Sequence, residues 1–110
     1  MPRFTWWDHK GTTEWVQYDF DKPRKISRSA VYFFDDTGQG GCRLPKSWRL
    51  LYKAGNKWKQ VSNAKNYGIE KDKFNRIRFD PVQTTSLRLE AQLQPNFSAG
   101  ILEWQINPSK

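Results

Sequence analysis

The sequence has few of the residues on which most catalytic and metal centres depend. Its 110 residues include one histidine, His9, and one cysteine, Cys42. One histidine and one cysteine are too few for a zinc site. A cysteine nucleophile needs a neighbouring base, and His9 is the one histidine that could serve Cys42. A disulfide within the chain is excluded because Cys42 is its single cysteine. Cys42 is therefore predicted to be a structural thiol.

Long apolar runs and helical periodicity are also missing. No stretch approaches the roughly 20 apolar residues that span a bilayer, and the amino terminus lacks the apolar segment of a secretory signal. No segment sustains the i, i+3, i+4 spacing of an amphipathic helix. We therefore expect neither a membrane span nor an amphipathic helix, and any export signal would have been removed from the parent protein.

Acidic residues are outnumbered by basic ones. Nineteen Lys and Arg against 11 Asp and Glu give a net charge of +8, which raises nucleic acid, acidic polysaccharide and anionic membrane as partners. Apart from residues 22–25, however, the cations occur singly along predicted strands, among them Arg76, Arg78 and Arg88. This spacing is typical of solvated faces. It predicts no dedicated polyanion site, no nucleic-acid partner and no membrane partner.

The chain does contain a succession of short segments in which apolar and polar residues alternate. Val16, Tyr18 and Phe20 share one face of the first, and turn residues separate it from the next. Pro23 and Pro81 are expected to end strands. An all-β fold follows, an antiparallel β-sandwich of jelly-roll type formed by one domain, residues 1–110. The predicted strands are 14–20, 26–34, 47–52, 57–61, 74–79, 86–93 and 101–106.

A glycine-rich loop, residues 35–43, joins the second and third predicted strands. Gly38 and Gly41 are expected to need a positive φ, and the loop should lie at an end of the sandwich, where function is often carried. Asp35 and Asp36 are adjacent and would point to opposite faces, so they cannot flank a glycosidic bond as paired catalytic carboxylates do. The sequence therefore predicts a protein without catalytic activity.

Several motifs resemble a known family. Segments 14–20, 45–48 with Tyr52, 86–90 and 98–103 are similar to successive landmarks of the coagulation factor V/VIII type C, or discoidin-like, domain. Segments 4–15, 34–38 and 41–43 resemble more narrowly the version appended to bacterial β-L-arabinofuranosidase-like glycoside hydrolases. The resemblance implies a galactose-binding-domain-like jelly roll. It also implies a parent enzyme that is exported and acts outside the cell or in the periplasm.

The family's structural calcium is not expected here. Its members usually have a further amino-terminal segment with the first strand and much of a calcium loop, whereas residues 1–3 alone precede Phe4. The family often lends this calcium a carboxylate from the last strand, and Glu103 matches that position. Because calcium takes about six to eight oxygen ligands, Glu103 without the upstream ligands predicts no bound metal, and no other cofactor is expected.

The resemblance also implies a sugar site on the loops. A sugar ring has an apolar face and a rim of hydroxyls, so a shallow site needs an exposed aromatic ring beside hydrogen-bonding groups. Sugar-binding members place an aromatic residue from the loop before the last strand beside polar residues of neighbouring loops, which matches Phe97 with Asn96. The predicted ligand-binding residues are Trp7, His9, Asp36, Arg43, Asn96 and Phe97, with Asp8 beside them.

Several of these residues also have a structural interpretation. Arg43 could pin the loop by pairing with a neighbouring aspartate, His9 could order its own loop through a hydrogen bond, and Phe97 could cap the core. Trp6 and Trp7 are adjacent, so one is expected to face inward and the other outward. Three further tryptophans are predicted to lie in the core: Trp15, Trp48 and Trp104.

The predicted function is a non-catalytic carbohydrate-binding module of a bacterial polysaccharide-degrading glycoside hydrolase. Its partners would be a plant-type polysaccharide or oligosaccharide and the catalytic domain of the parent chain. Two alternatives stay open, namely a structural appendage that packs on a catalytic domain without binding sugar, and a basic module for nucleic acid or anionic surfaces. Salt separates the last from the others, because nucleic-acid affinity falls steeply with salt and neutral-sugar affinity hardly changes.

Overall fold

The computed structural model describes residues 4–7 and 9–108, and this part of the chain consists of strands and loops. The strands form one antiparallel sheet in the order β1-β6-β2-β5-β3-β4, which confirms the predicted all-β fold. None of the described residues belongs to a helix long and apolar enough to cross a membrane. The strands are β1 (Phe4–Thr5), β2 (Thr13–Phe34), β3 (Ser47–Ala54), β4 (Lys57–Gln60), β5 (Phe74–Gln92) and β6 (Gly100–Ile106).

Two strands are far longer than predicted, since β2 has 22 residues and β5 has 19. The expectation that Pro23 and Pro81 end strands was wrong. Pairing between β2 and β5 shifts register between Asp19 and Arg24, and again just after Ile26. Pro23 lies within the first shift and Pro81 opposite the second, where bulges leave residues outside the hydrogen-bond ladder. Each long strand therefore joins two of the predicted ones.

The bends in β2 and β5 fold the sheet into two layers. In the β3 layer, the first half of β2 pairs with the second half of β5, followed by β3 and β4. In the β6 layer, the second half of β2 pairs with the first half of β5 and with β6, which carries β1. Strands that bend from one layer into the other form the corners of a β-sandwich. The predicted antiparallel β-sandwich is therefore confirmed.

The core lies between the two layers and is built by strand alternation. The Phe33 and Trp48 rings meet across it with centroids 5.6 Å apart, and the Tyr18 and Trp104 rings with centroids 4.7 Å apart. Trp48 and Trp104 are 4% and 2% exposed, as predicted. The indole nitrogen of Trp104 donates to the buried hydroxyl of Ser29 at 2.7 Å, so the polar edge of the ring is satisfied inside the core.

Trp15 does not belong to the core, and that prediction was wrong. Its side chain is 51% exposed, because Tyr18 points into the core and the alternation of β2 turns Trp15 to the outer face of the β3 layer. There the guanidinium carbon of Arg88 lies 4.0 Å from the centroid of the Trp15 ring and 4.0 Å from that of Trp58. The size of an indole favoured burial, but its position in the strand decided otherwise.

Candidate functional site

Three loops meet at one end of the sandwich: the loop before β2, the glycine-rich loop after β2 and the loop before β6. The amide of Gly11 donates to the carbonyl of Phe97 at 3.2 Å, which joins the first loop to the third. The amide of Ser98 donates to the carbonyl of Gly41 at 2.9 Å, which joins the third loop to the second. The clustering that the predicted sugar site requires is therefore present.

Trp7 supplies an exposed ring at this end. Trp6 is 6% exposed and Trp7 is 55% exposed, so one indole points inward and the other outward, as predicted. The Trp7 ring lies against Gly41, where a Cβ atom would be 2.6 Å from the nearest ring carbon. A pocket of about 340 Å³ lies beside the ring. It is lined by Thr5, Trp7, Phe34, Asp36, Gly40, Gly41 and Cys42.

The two glycines singled out in the loop have different roles. Gly38 has a φ of 89°, as expected, whereas Gly41 is not among the residues with positive φ. The expectation for Gly41 was wrong. A glycine at that position lets the Trp7 ring occupy the space of a side chain, a close approach that depends on tertiary structure rather than on backbone conformation.

Asp36 orders the glycine-rich loop while lining the pocket. Its Oδ1 accepts a hydrogen bond from the amide of Cys42 at 2.7 Å and lies 3.6 Å from Nη1 of Arg43. A Cβ atom at Gly40 would come within 2.3 Å of Oδ2, so the carboxylate also fills the space over that glycine. The side chain keeps 22% of its surface exposed. Asp36 can therefore reach a ligand only from a fixed position.

Asp35 is more deeply placed, with a side chain that is 7% exposed. Its Oδ1 accepts hydrogen bonds from the amide and hydroxyl of Thr37, and its Oδ2 accepts one from the amide of Leu44 at 3.1 Å. Burial by itself raises the pKa of this carboxyl group, but the hydrogen bonds and the Lys71 charge 3.7 Å away outweigh it and lower the pKa overall. Asp35 is thus an ionised structural residue.

Arg43 holds two loops together. Its Nη1 donates to the carbonyls of Gly40 at 2.8 Å and Cys42 at 2.9 Å, and its guanidinium carbon lies 4.5 Å from the centroid of the Phe97 ring. The guanidinium therefore covers one face of Phe97. The Phe97 ring, which the sequence favoured as the sugar contact, is therefore covered on one face. The ring that is exposed at the loop end is Trp7.

His9 and Asn96 stabilise their loops. His9 Nδ1 lies 3.0 Å from Oε2 of Glu14, and its backbone amide donates to the carbonyl of Trp6 at 2.7 Å. Asn96 is exposed and has a φ of 68°, which an asparagine tolerates in a turn. Asp8 lies outside the described residues. Of the predicted binding residues, Trp7 and Asp36 line the pocket, whereas His9, Arg43, Asn96 and Phe97 do not.

Phe34 and Thr5 are pocket residues that the sequence did not indicate as such. Phe34 ends β2 on the face opposite to the buried Phe33, so strict alternation could have suggested it. Thr5 reaches the pocket because β1 pairs with β6, with Thr5 opposite Gly100. No local pattern in a two-residue strand could have predicted this pairing.

The described residues bring no cluster of acidic side chains together with Glu103. Within residues 4–7 and 9–108, no group of three or more His, Cys, Asp or Glu side chains comes together. Glu103 instead accepts a hydrogen bond from the side-chain amide of Gln105. Calcium needs several more oxygens than this one carboxylate supplies. The acidic side chains of this part of the chain therefore do not favour the family's calcium, and the absence of a metal stays a prediction.

Comparison with solved structures shows other proteins that share this fold. A structure of the Streptococcus pneumoniae beta-galactosidase BgaA is 23% identical, over 97% of this chain and 75% of that chain, with a TM-score of 0.84. A pectin binding carbohydrate binding module is 19% identical, over 98% and 73%, with a TM-score of 0.72. Chitosan-binding module 1 of a chitosanase/glucanase from Paenibacillus sp. IK-5 is 12% identical, over 96% and 76%, with a TM-score of 0.69. The family model described as F5/8 type C domain matches residues 4–104. The chain belongs to the F5/8 type C domain family.

Proposed function

We propose that the chain is a non-catalytic carbohydrate-binding module that keeps a polysaccharide-degrading glycoside hydrolase on its substrate, outside the cell or in the periplasm. The observation that carries this proposal is the pocket at the loop end, where the exposed Trp7 ring stands beside the Asp36 carboxylate. An indole face takes up the apolar face of a sugar ring, and a carboxylate accepts hydrogen bonds from its hydroxyls. The pectin- and chitosan-binding modules of the same fold support this function.

The loop end is also preorganised, which favours binding by a small surface. Trp7 lies against Gly41, and Nζ of Lys10 is 4.9 Å from the centroid of the same ring. Asp36 is held by the Cys42 amide. Because ring and carboxylate are already positioned, a sugar would immobilise few side chains, and a weak set of contacts could still give measurable affinity.

A structural appendage that docks on a catalytic domain is the second candidate. The observation that favours it is the stack of Trp15, Arg88 and Trp58 on the outer face of the β3 layer. Tryptophan and arginine are enriched among the residues that dominate protein–protein interfaces. This surface uses different residues from the pocket, so one module could do both.

The test is a titration of the isolated domain with arabinose-, galactose- and uronate-containing oligosaccharides, followed by NMR shifts. Trp7→Ala should abolish detectable binding, since loss of a stacked ring costs on the order of 1 to 3 kcal/mol of a weak affinity. Trp15→Ala is the matched control, because it removes an indole of similar exposure away from the pocket. Binding that survives Trp7→Ala would refute the site. A wild type that binds no glycan would favour the appendage.

A further inference from the structure

The outer face of the β6 layer brings three arginines together. Arg28 on β2 is directly opposite Arg78 on β5, and Ala30 is opposite Arg76. Because side chains alternate between the faces of a strand, these arginines project from the same face. Like charges directly opposite each other destabilise a sheet. The arrangement therefore carries an electrostatic cost that an anion would offset.

The three arginines lack an acidic partner in the part of the chain that the structure describes. Glu103 on neighbouring β6 accepts a hydrogen bond from Gln105 and is not within ion-pair distance of a described cation. Most other described lysines and arginines also lack a carboxylate partner. What distinguishes these three is that the sheet register places them together around one pocket. The ion pairs among the described residues are His9–Glu14, Arg43–Asp36, Arg49–Glu90, Lys71–Asp35 and Lys73–Glu70.

A pocket of about 180 Å³ lies among these arginines, and Pro108 forms part of its wall. Arg76 and Arg78 are exposed and Arg28 is half-buried, so their charged ends are accessible to solvent and to a ligand. The pocket wall also includes Ser29 and Ile77, the strand neighbours of these arginines.

The arginine pocket is connected to the loop pocket along β2. Arg28, Ala30, Tyr32 and Phe34 are alternate residues of this strand, and Phe34 lines the loop pocket beside Trp7. Six residues of strand cover about 20 Å. One outward row of a single strand therefore joins an exposed indole at one end to a cationic pocket at the other.

Two aromatic rings lie between these pockets. The rings of Tyr32 and Phe74 meet edge to face with centroids 5.3 Å apart, and the guanidinium carbon of Arg76 lies 5.7 Å from the Phe74 centroid. Both rings are half-buried. Together they form a shallow apolar surface that sugar rings can contact. Neither ring has an open face on which a nucleobase could stack fully.

We propose that this arginine track, formed by Arg28, Tyr32, Phe74, Arg76 and Arg78, binds the anionic groups of an acidic polysaccharide, either uronate carboxylates or sulfate esters. The planar guanidinium group matches the oxygens of both anions in bidentate geometry. The proposal deepens the proposed function. It rests on that function only in that the same polysaccharide chain would continue from the arginines into the loop pocket. The contact with the arginines is independent of that pocket.

A double substitution, Arg76→Gln with Arg78→Gln, tests the track. The matched control is Lys57→Gln with Lys59→Gln, which removes the same charge from exposed positions of β4 in the other layer. The probes are polygalacturonate and dextran sulfate oligomers, methyl-esterified polygalacturonate, a neutral galactan and single-stranded DNA of matched length. Titrations are run at about 50 mM salt, where contacts between charges are measurable. Gel filtration of each variant checks that it is monomeric.

The arginine variant should bind polygalacturonate or dextran sulfate about tenfold or more weakly than the wild type. The control should change by less than about threefold, as expected for general charge. Binding of neutral galactan should be the same in all three proteins. The anionic polymer that is bound more tightly identifies the anion.

Several results would overturn the track. Equal losses in both double variants would show diffuse attraction, and tighter binding of DNA than of either polymer would show a nucleic-acid surface. Unchanged binding with new aggregation of the arginine variant would show that these charges only protect an edge strand. The loop pocket is judged separately. Neutral-sugar binding lost in Trp7→Ala supports the pocket even if the track fails, and arginine-dependent binding without any neutral-sugar binding supports the track alone.

Discussion

Substitution by alanine should affect stability very differently at Gly41 and Gly100, although an added Cβ atom would be equally close to its nearest neighbour at both positions. A Cβ atom at Gly41 would lie 2.6 Å from the Trp7 ring, and a Cβ atom at Gly100 would lie 2.6 Å from the carbonyl oxygen of Phe4. The Trp7 ring is 55% exposed and can turn away into solvent. The Phe4 carbonyl belongs to the backbone of β1, which pairs with β6 and cannot yield without breaking the pairing.

Gly41→Ala should therefore cost less than about 1 kcal/mol of unfolding free energy, as for other surface changes. Gly100→Ala should cost about 1 to 3 kcal/mol, as for overpacking of a constrained site. Gly41→Ala should nevertheless remove sugar binding, because it displaces the ring that forms the pocket. Urea unfolding gives the first comparison and the glycan titration gives the second. Equal destabilisation by both substitutions, or intact binding by Gly41→Ala, would refute this reasoning.

Three further predictions concern the Asp35 carboxylate, the Arg88 guanidinium and the absence of hydrolysis. Because the pKa of Asp35 is lowered in the folded state, its carboxylate contributes stability above pH 3.8, the ordinary value, and this is lost as the pH falls through the lowered pKa. Asp35→Asn should flatten the acid side of the stability profile, and an unchanged profile would contradict the assignment. Arg88→Ala should lower stability by about 1 kcal/mol and shift tryptophan emission, since its guanidinium stacks on two indoles. The domain should not hydrolyse aryl glycosides or plant polysaccharides, and turnover lost on mutation of Asp36 would disprove this.

The sequence predicted strands well because alternation is a local property. Leu87, Leu89 and Leu93 are fully buried, as their spacing indicates. The continuity of β2 and β5 could not be predicted, because a proline ends a strand only when its position needs a ladder hydrogen bond. That need depends on the partner strand, and the register shift at Pro23 removes it.

The candidate site was predicted in outline but not in its distribution of roles. The predicted site required three loops to lie at one end, and the contacts between these loops meet that requirement. Alternation predicted that one of Trp6 and Trp7 faces outward, and the structure identifies it as Trp7. Arg43, Asn96 and Phe97 were chosen as contacts, yet in the structure they mainly hold the loops, through a stacked guanidinium and a turn with positive φ. Whether a polar loop residue faces a ligand or its own backbone depends on contacts distant in sequence.

The course of β2 also has a mechanical consequence. The strand begins at Thr13, next to the loop that carries Trp7, crosses the bend near Pro23 and returns to end at Phe34, beside the glycine-rich loop. The two loops that supply Trp7 and Asp36 to the pocket thus adjoin the two ends of one continuous strand shared by both layers. Neither layer can open as a separate unit, so a sugar that bridges the two loops should slow hydrogen exchange along the whole of β2, as far as the bend at the opposite end of the molecule.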